Sequence, residues 1–254
     1  MRSKVQVKPV GLGVAALVAA LALVACGDDE TTTEADPGAE LPQGSERVKL
    51  DPAEFTTEID NPYWPMKPGS RWNYREFDSE GTEQKVVVTV TERTKRISNG
   101  VEARVVRDVV TEKGVPVEVT DDWYAQDSAG NIWYLGEATT EYENGKPTTT
   151  AGSFEAGVDG AQPGIILPAD PEPGISYRQE YYEGEAEDEG EIVRAGVQAE
   201  VPAGHYTDVL MTQDTNPLEP KVLEFKFYAP EVGPVLAVGV SGGSDREELL
   251  NYTR

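Results

Sequence analysis

Three observations predict an all-β fold: β-branched runs with period-two alternation, turn signals at regular intervals, and no long helical periodicity. Large antiparallel sheets protect their edges by closing into a barrel or by folding into a sandwich. The expected architecture is therefore an antiparallel meander duplicated into two related halves, forming one open barrel or sandwich-like body.

The run Val86-Val87-Val88-Thr89-Val90-Thr91 is the clearest strand. Stretches 104–111 and 115–124 continue the pattern. Glu80-Gly81, Asn99-Gly100, Lys113-Gly114 and Ala129-Gly130-Asn131 mark the turns between them. Stretches 176–182, 192–201, 205–213, 222–228 and 234–240 repeat the rhythm, giving about eleven or twelve strands. Only 245–251 reads as a short helical turn.

An internal repeat underlies this rhythm. Lys67-Pro68-Gly69-Ser70-Arg71-Trp72 matches Glu172-Pro173-Gly174-Ile175-Ser176-Tyr177 at an offset of 105. Asn99-Gly100-Val101 matches Ala203-Gly204-His205, and Trp123-Tyr124-Ala125 matches Phe227-Tyr228-Ala229, both at 104. Gly130 matches Gly233 at 103. The copies span about 67–137 and 172–241, with an inserted hairpin and loop at 139–170. That insert carries the turn Glu143-Asn144-Gly145-Lys146 and a Gly/Pro-rich stretch at 157–168, read as a crossover between sheets or a functional loop. The aromatics of Asn61-Pro62-Tyr63-Trp64-Pro65-Met66 are expected to cap one end of the core.

The first 25 residues read as a secretory signal peptide. Arg2, Lys4 and Lys8 form a basic start, and 10–25 carries no charge. This run is short for a membrane span, which needs about 20 apolar residues. It ends in Leu23-Val24-Ala25-Cys26, with Cys26 the one cysteine of the chain. Residues 26–47 hold Cys26 and an acidic tether too poor in apolar residues to fold, with a reach of roughly 25 Å. Residues 48–254 form the β domain.

Charge excludes one class of partner. Arg2, Lys4 and Lys8 take three of the 22 basic residues, so the part after Cys26 has 19 against 46 acidic residues, net −27. Such a surface repels nucleic acid, and no nucleic-acid role is expected.

Catalytic motifs are sparse. The one histidine, His205, follows Gly204 in a predicted turn and reads as a surface residue. Without a thiol beyond Cys26, the Ser-His-Asp and Cys-His arrangements have only His205 to build on. No zinc spacing, EF-hand ladder or phosphate loop occurs. No cofactor and no metal site are expected. The acids of 183–191 read as a solvated hairpin tip, with a weak Ca²⁺ site as the alternative.

Asp121 stands out because it shares the parity of Val117, Val119 and Trp123. An acid on a core-facing row should be paired, shifted in pKa or lining a cavity. One reading makes Asp121, Trp123 and Trp133 a ligand pocket. The other places a β-bulge at Asp121-Asp122 that turns one side chain outward.

The Leu23-Val24-Ala25-Cys26 motif resembles the lipobox of bacterial lipoproteins. The stretches 61–75, 122–127, 141–146, 157–168 and 228–230 look like blocks shared among uncharacterised bacterial secreted proteins and lipoproteins, largely of the actinobacterial type. That resemblance implies a lipid anchor on Cys26 and an extracytoplasmic, membrane-attached location. It implies no activity and no site residues. The leading functional expectation is non-enzymatic binding of a small ligand at the cell envelope. Protein interaction in envelope assembly is the alternative, and a carboxylate-based hydrolase the third.

Overall fold

The structure, a computed structural model, describes residues 33–34, 41–78 and 80–254. Cys26, the leader and most of the tether lie outside the described residues. Among the described residues there are eighteen strands and one short 3-10 turn, Pro52–Glu54. The strands are β1 (Thr33–Glu34), β2 (Val48–Lys49), β3 (Phe55–Thr56), β4 (Arg71–Phe77), β5 (Glu83–Arg96), β6 (Glu102–Glu112), β7 (Val115–Asp127), β8 (Ile132–Glu143) and β9 (Lys146–Thr149). They continue as β10 (Phe154–Glu155), β11 (Gln162–Leu167), β12 (Ser176–Arg178), β13 (Glu180–Tyr181), β14 (Glu189–Val201), β15 (Gly204–Thr215), β16 (Leu223–Ala229), β17 (Gly233–Ser241) and β18 (Arg246–Thr253). Among the described residues no α-helix occurs, and none is long and apolar enough to cross a membrane.

One antiparallel sheet carries nearly everything. Its path is β12-β14-β15-β16-β17-β18-β4-β5-β6-β7-β8-β11-β13. Both stretches matched at offsets near 104 become five-strand runs in this path, β4 to β8 and β12 with β14 to β17. Two further strands join the runs. On one side β18 pairs with both β17 and β4. On the other, β11 pairs with β8 and β13.

Those joins correct two sequence expectations. The stretch 245–251, expected as a helical turn, lies mostly in strand β18, because the two strand edges flanking it offer partners for its backbone groups. The 157–168 loop becomes a strand in its second half, β11, for the same reason. The hairpin at 143–146 forms as expected, with Asn144 and Gly145 at positive φ (52° and 73°) in the turn between β8 and β9.

The path nearly closes on itself, because its end strands β12 and β13 are separated in the chain by Gln179 alone. Close approach at this seam needs a glycine. A Cβ on Gly164 would stand 2.4 Å from backbone atoms of Arg178 and Gln179. Arg178, 1% exposed, ties the seam together. Its Nε and Nη2 donate to the Pro163 carbonyl at 3.1 and 2.7 Å, and Nη1 donates to the carbonyls of Gly44 at 2.8 Å and Glu46 at 2.7 Å. Burial lowers the Arg178 pKa to about 10, which still leaves the guanidinium charged at neutral pH.

The 61–66 segment fills one end of this body. The Trp64 ring lies 5.6 Å from Tyr124 of β7 and 5.9 Å from Tyr228 of β16. These strands are six steps apart in the path, so the sheet must curl for one indole to touch both. Gly233 leaves room for that ring, since a Cβ there would sit 2.7 Å from Trp64 Cδ1.

Candidate functional site

Cross-strand pairs define the inward row of the curled sheet. Tyr124 and Tyr228 meet Trp64 inside, so residues of the same parity on their strands point inward too. On β7 that row is Tyr124, Asp122, Thr120 and Glu118, and on β16 it is Tyr228, Lys226 and Glu224. Neighbours follow the same order: Leu210, Thr212 and Asp214 on β15 face Tyr228, Lys226 and Glu224. Leu249 and Glu247 on β18 face Tyr74 and Glu76 on β4. The interior thus has an aromatic and aliphatic end, where Trp64 sits, and an acidic end.

Two hydrogen-bonded groups organise part of the acidic end. The Tyr134 hydroxyl lies 2.8 Å from Asp122 Oδ1 and 2.6 Å from Glu137 Oε2. Thr139 donates to Glu137 Oε1 at 2.8 Å and lies 2.9 Å from Thr120. Glu137 reaches this place beside Gly136, whose φ of 130° and approach to Phe154 exclude a side chain. In the second group Lys226 Nζ lies 2.5 Å from Asp214 and 3.3 Å from Glu224. Thr212 donates to Asp214 at 3.1 Å. All three charged side chains are under 10% exposed.

Electrostatics set the remaining acids apart. Burial, with the charges of Glu224, Asp245, Glu118 and Asp78, pushes the Glu76 pKa up to about 7. Burial and Asp122, Glu118 and Glu76 hold Asp108 well above the usual carboxylate range. Burial and Glu76, Asp108 and Glu224 do the same for Glu247. Two oxygens in this set, Asp108 Oδ1 and Glu247 Oε1, have no hydrogen-bond partner.

A pH dependence of stability follows. Each of these acids binds its proton more tightly in the folded than in the unfolded state, so stability falls as pH rises from the unfolded pKa through the folded one. For Glu76 that window runs from 4.5 to about 7, and its shift corresponds to about 3 kcal/mol. The urea midpoint should be higher at pH 5 than at pH 8, and Glu76→Gln should flatten the profile. A wild-type midpoint that rises across this window would contradict the assignment.

The residues singled out from sequence lie elsewhere. Asp121 sits on the outward row, opposite Arg107 and Ala138. Arg107 Nε and Nη2 donate to its two oxygens at 2.8 and 3.0 Å, and Arg93 donates at 2.9 Å. Burial raises its pKa, but these arginines outweigh burial and hold it below the usual value. Trp123 is covered by Lys95, whose Nζ lies 4.1 Å from the ring centroid. Trp133 packs edge-on against Phe55 at 5.9 Å and donates to Asp127 at 2.7 Å. The three therefore hold separate polar and aromatic contacts, and the acid that enters the interior is Asp122.

Sequence reasoning passed over Glu137, Lys226 and Glu247, and named Asp122 only as one half of the Asp121-Asp122 bulge. A usable signal was present in the polar rows Glu118-Thr120-Asp122 and Glu224-Lys226, alternating with the apolar rows Val117-Val119 and Phe225-Phe227. One of the two readings took the more apolar row as the inner one, whereas a barrel with a polar interior turns the polar row inward.

Other sequence candidates are on the surface. His205 is 51% exposed in its side chain and lies 2.8 Å from Glu200. In the 183–191 stretch Glu187 accepts from the Gly184 backbone at 2.8 Å in the tip turn. Among the described residues no group of three or more His, Cys, Asp or Glu is arranged to hold a metal ion.

The fold and its inner wall define the class as an antiparallel β-barrel-like protein with a carboxylate-rich interior. No protein-family model matches the chain, and no curated protein matches it. Among solved structures, one described as a "putative lipoprotein" from Parabacteroides distasonis ATCC 8503 is similar at a TM-score of 0.40 and 12% identity, over 75% of this chain and 98% of that one.

Proposed function

We propose that this chain is a membrane-tethered lipoprotein of the cell envelope whose barrel interior binds a small ligand without chemical turnover. The observation that carries the binding reading is the inner wall. Carboxylates of Glu76, Asp108 and Glu247 face one another there, and two of their oxygens are left without partners. A fold gains nothing from such an arrangement by itself, since buried unpaired acids are costly. Sites that must receive a ligand keep such groups.

The anchor rests on Leu23-Val24-Ala25-Cys26 closing an uncharged run. Two or more acyl chains on Cys26 give stable attachment, where one chain is marginal. Cys26→Ser should move the protein from the membrane pellet to the soluble fraction, and a variant that still pellets would remove the anchor. For binding, the full chain purified from membranes should show, in native mass spectra, an added mass that disappears on denaturation.

A further inference from the structure

We propose that the interior wall binds an organic polycation, a flexible chain with two or more protonated amines. This rests on the ligand-binding reading above and narrows its chemistry.

The first argument is charge balance on the wall. Glu247 is 6% exposed, and its Oε1 has no hydrogen-bond partner. It pairs across the ladder with Glu76 of β4, and the charges of Glu76, of Asp108 on β6 and of Glu224 on β16 act on it. Asp108, whose Oδ1 is also unpartnered, faces Asp122 and Glu118 of β7 and Glu76 of β4. Lys226 lies on the same wall, but Asp214 and Glu224 hold its ammonium. A desolvated carboxylate oxygen is satisfied best by a charged donor, and the side chains that push Glu247 and Asp108 up are all acids.

Spacing then separates an organic cation from a metal ion. Glu247 and Asp108 stand on β18 and β6, three steps apart in the path, and among the described residues no group of three or more His, Cys, Asp or Glu is arranged to hold a metal ion. A divalent cation gathers its oxygens at about 2.4 Å and needs them convergent. Amines joined by methylene chains can meet carboxylates set far apart.

The test is titration calorimetry on the full chain purified from membranes, in 150 mM NaCl at pH 8, with spermidine as the probe. Butylamine, a neutral diol and CaCl₂ serve as comparisons. Spermidine is expected to bind at least tenfold more tightly than butylamine. Glu247→Gln and Asp108→Asn should each weaken it tenfold or more. Lowering the pH to 5 should weaken it similarly, with protons released on binding at pH 8. Both variants should fold, since each removes a charge and keeps the shape, and their urea midpoints at pH 8 should equal or exceed the wild type.

Spermidine affinity that ignores both substitutions would mean binding by the acidic outer surface and would overturn the proposal. Calcium binding at the same residues with equal affinity would overturn the organic class. If native spectra show a retained neutral or anionic molecule and spermidine does not bind, the polycation falls while the ligand-binding reading stands. If no molecule is retained and no probe binds, both fall.

Discussion

Lys226→Met is expected to destabilise the folded chain by about 3–5 kcal/mol at pH 8, because it removes one partner of a buried charge group and strands the others. Burial alone would lower the Lys226 pKa, yet Asp214 and Glu224 hold it well above the ordinary lysine value. A raised base contributes its stability fully below its unfolded pKa, 10.5, and loses it only as pH rises through the folded value. The pair is therefore intact across the neutral range. In the variant, Asp214 and Glu224 face a thioether and relieve their charge by taking up protons, which is easier in acid. The loss should shrink as pH falls from 8 to 5. Urea unfolding of both proteins at the two pH values measures this, and an equal loss at both would assign Lys226 a packing role only.

The second large effect is at Trp72. This indole is fully buried, stacks on Tyr252 at 4.9 Å and donates to the Val232 carbonyl at 2.7 Å. Trp72→Ala removes a large apolar side chain and the donor together. Such truncations cost about 3–5 kcal/mol. Trp72 on β4 pairs with Tyr252 on β18, the strand that joins the two five-strand runs. The loss should therefore appear first as faster amide exchange in β18 and β4. Protection retained in both strands alongside a small change in midpoint would show that the join is held by other contacts. Unlike Lys226→Met, this variant should lose the same stability at pH 5 as at pH 8, because no charge is involved.

These two residues mark how far the sequence could be read. Trp72 was legible, since it opens an alternating run after Pro68-Gly69 and aligns with Tyr177 in the matched stretch. Lys226 was not, because a lysine between Phe225 and Phe227 reads as the solvent face of a strand. Asp121 and Asp122 pose the same question, and the sequence left both orientations open. Period two identifies two faces and leaves open which one a barrel turns inward. Resolving that needs a contact across the barrel, and Trp64 between Tyr124 and Tyr228 is such a contact.

By itself the sequence determined the all-β class and most strand positions, because β-branched alternation and Gly-marked turns are local properties that survive without tertiary context. It also determined the acidity of the part after Cys26, which is a count. Tertiary structure decided which faces turn inward and how the sheet nearly closes through 176–181. It also turned 245–251 into a strand and decided which carboxylates meet. All of these depend on partners far apart in the chain, such as Glu76 with Glu247, and on backbone groups that must find a neighbour wherever the fold places one.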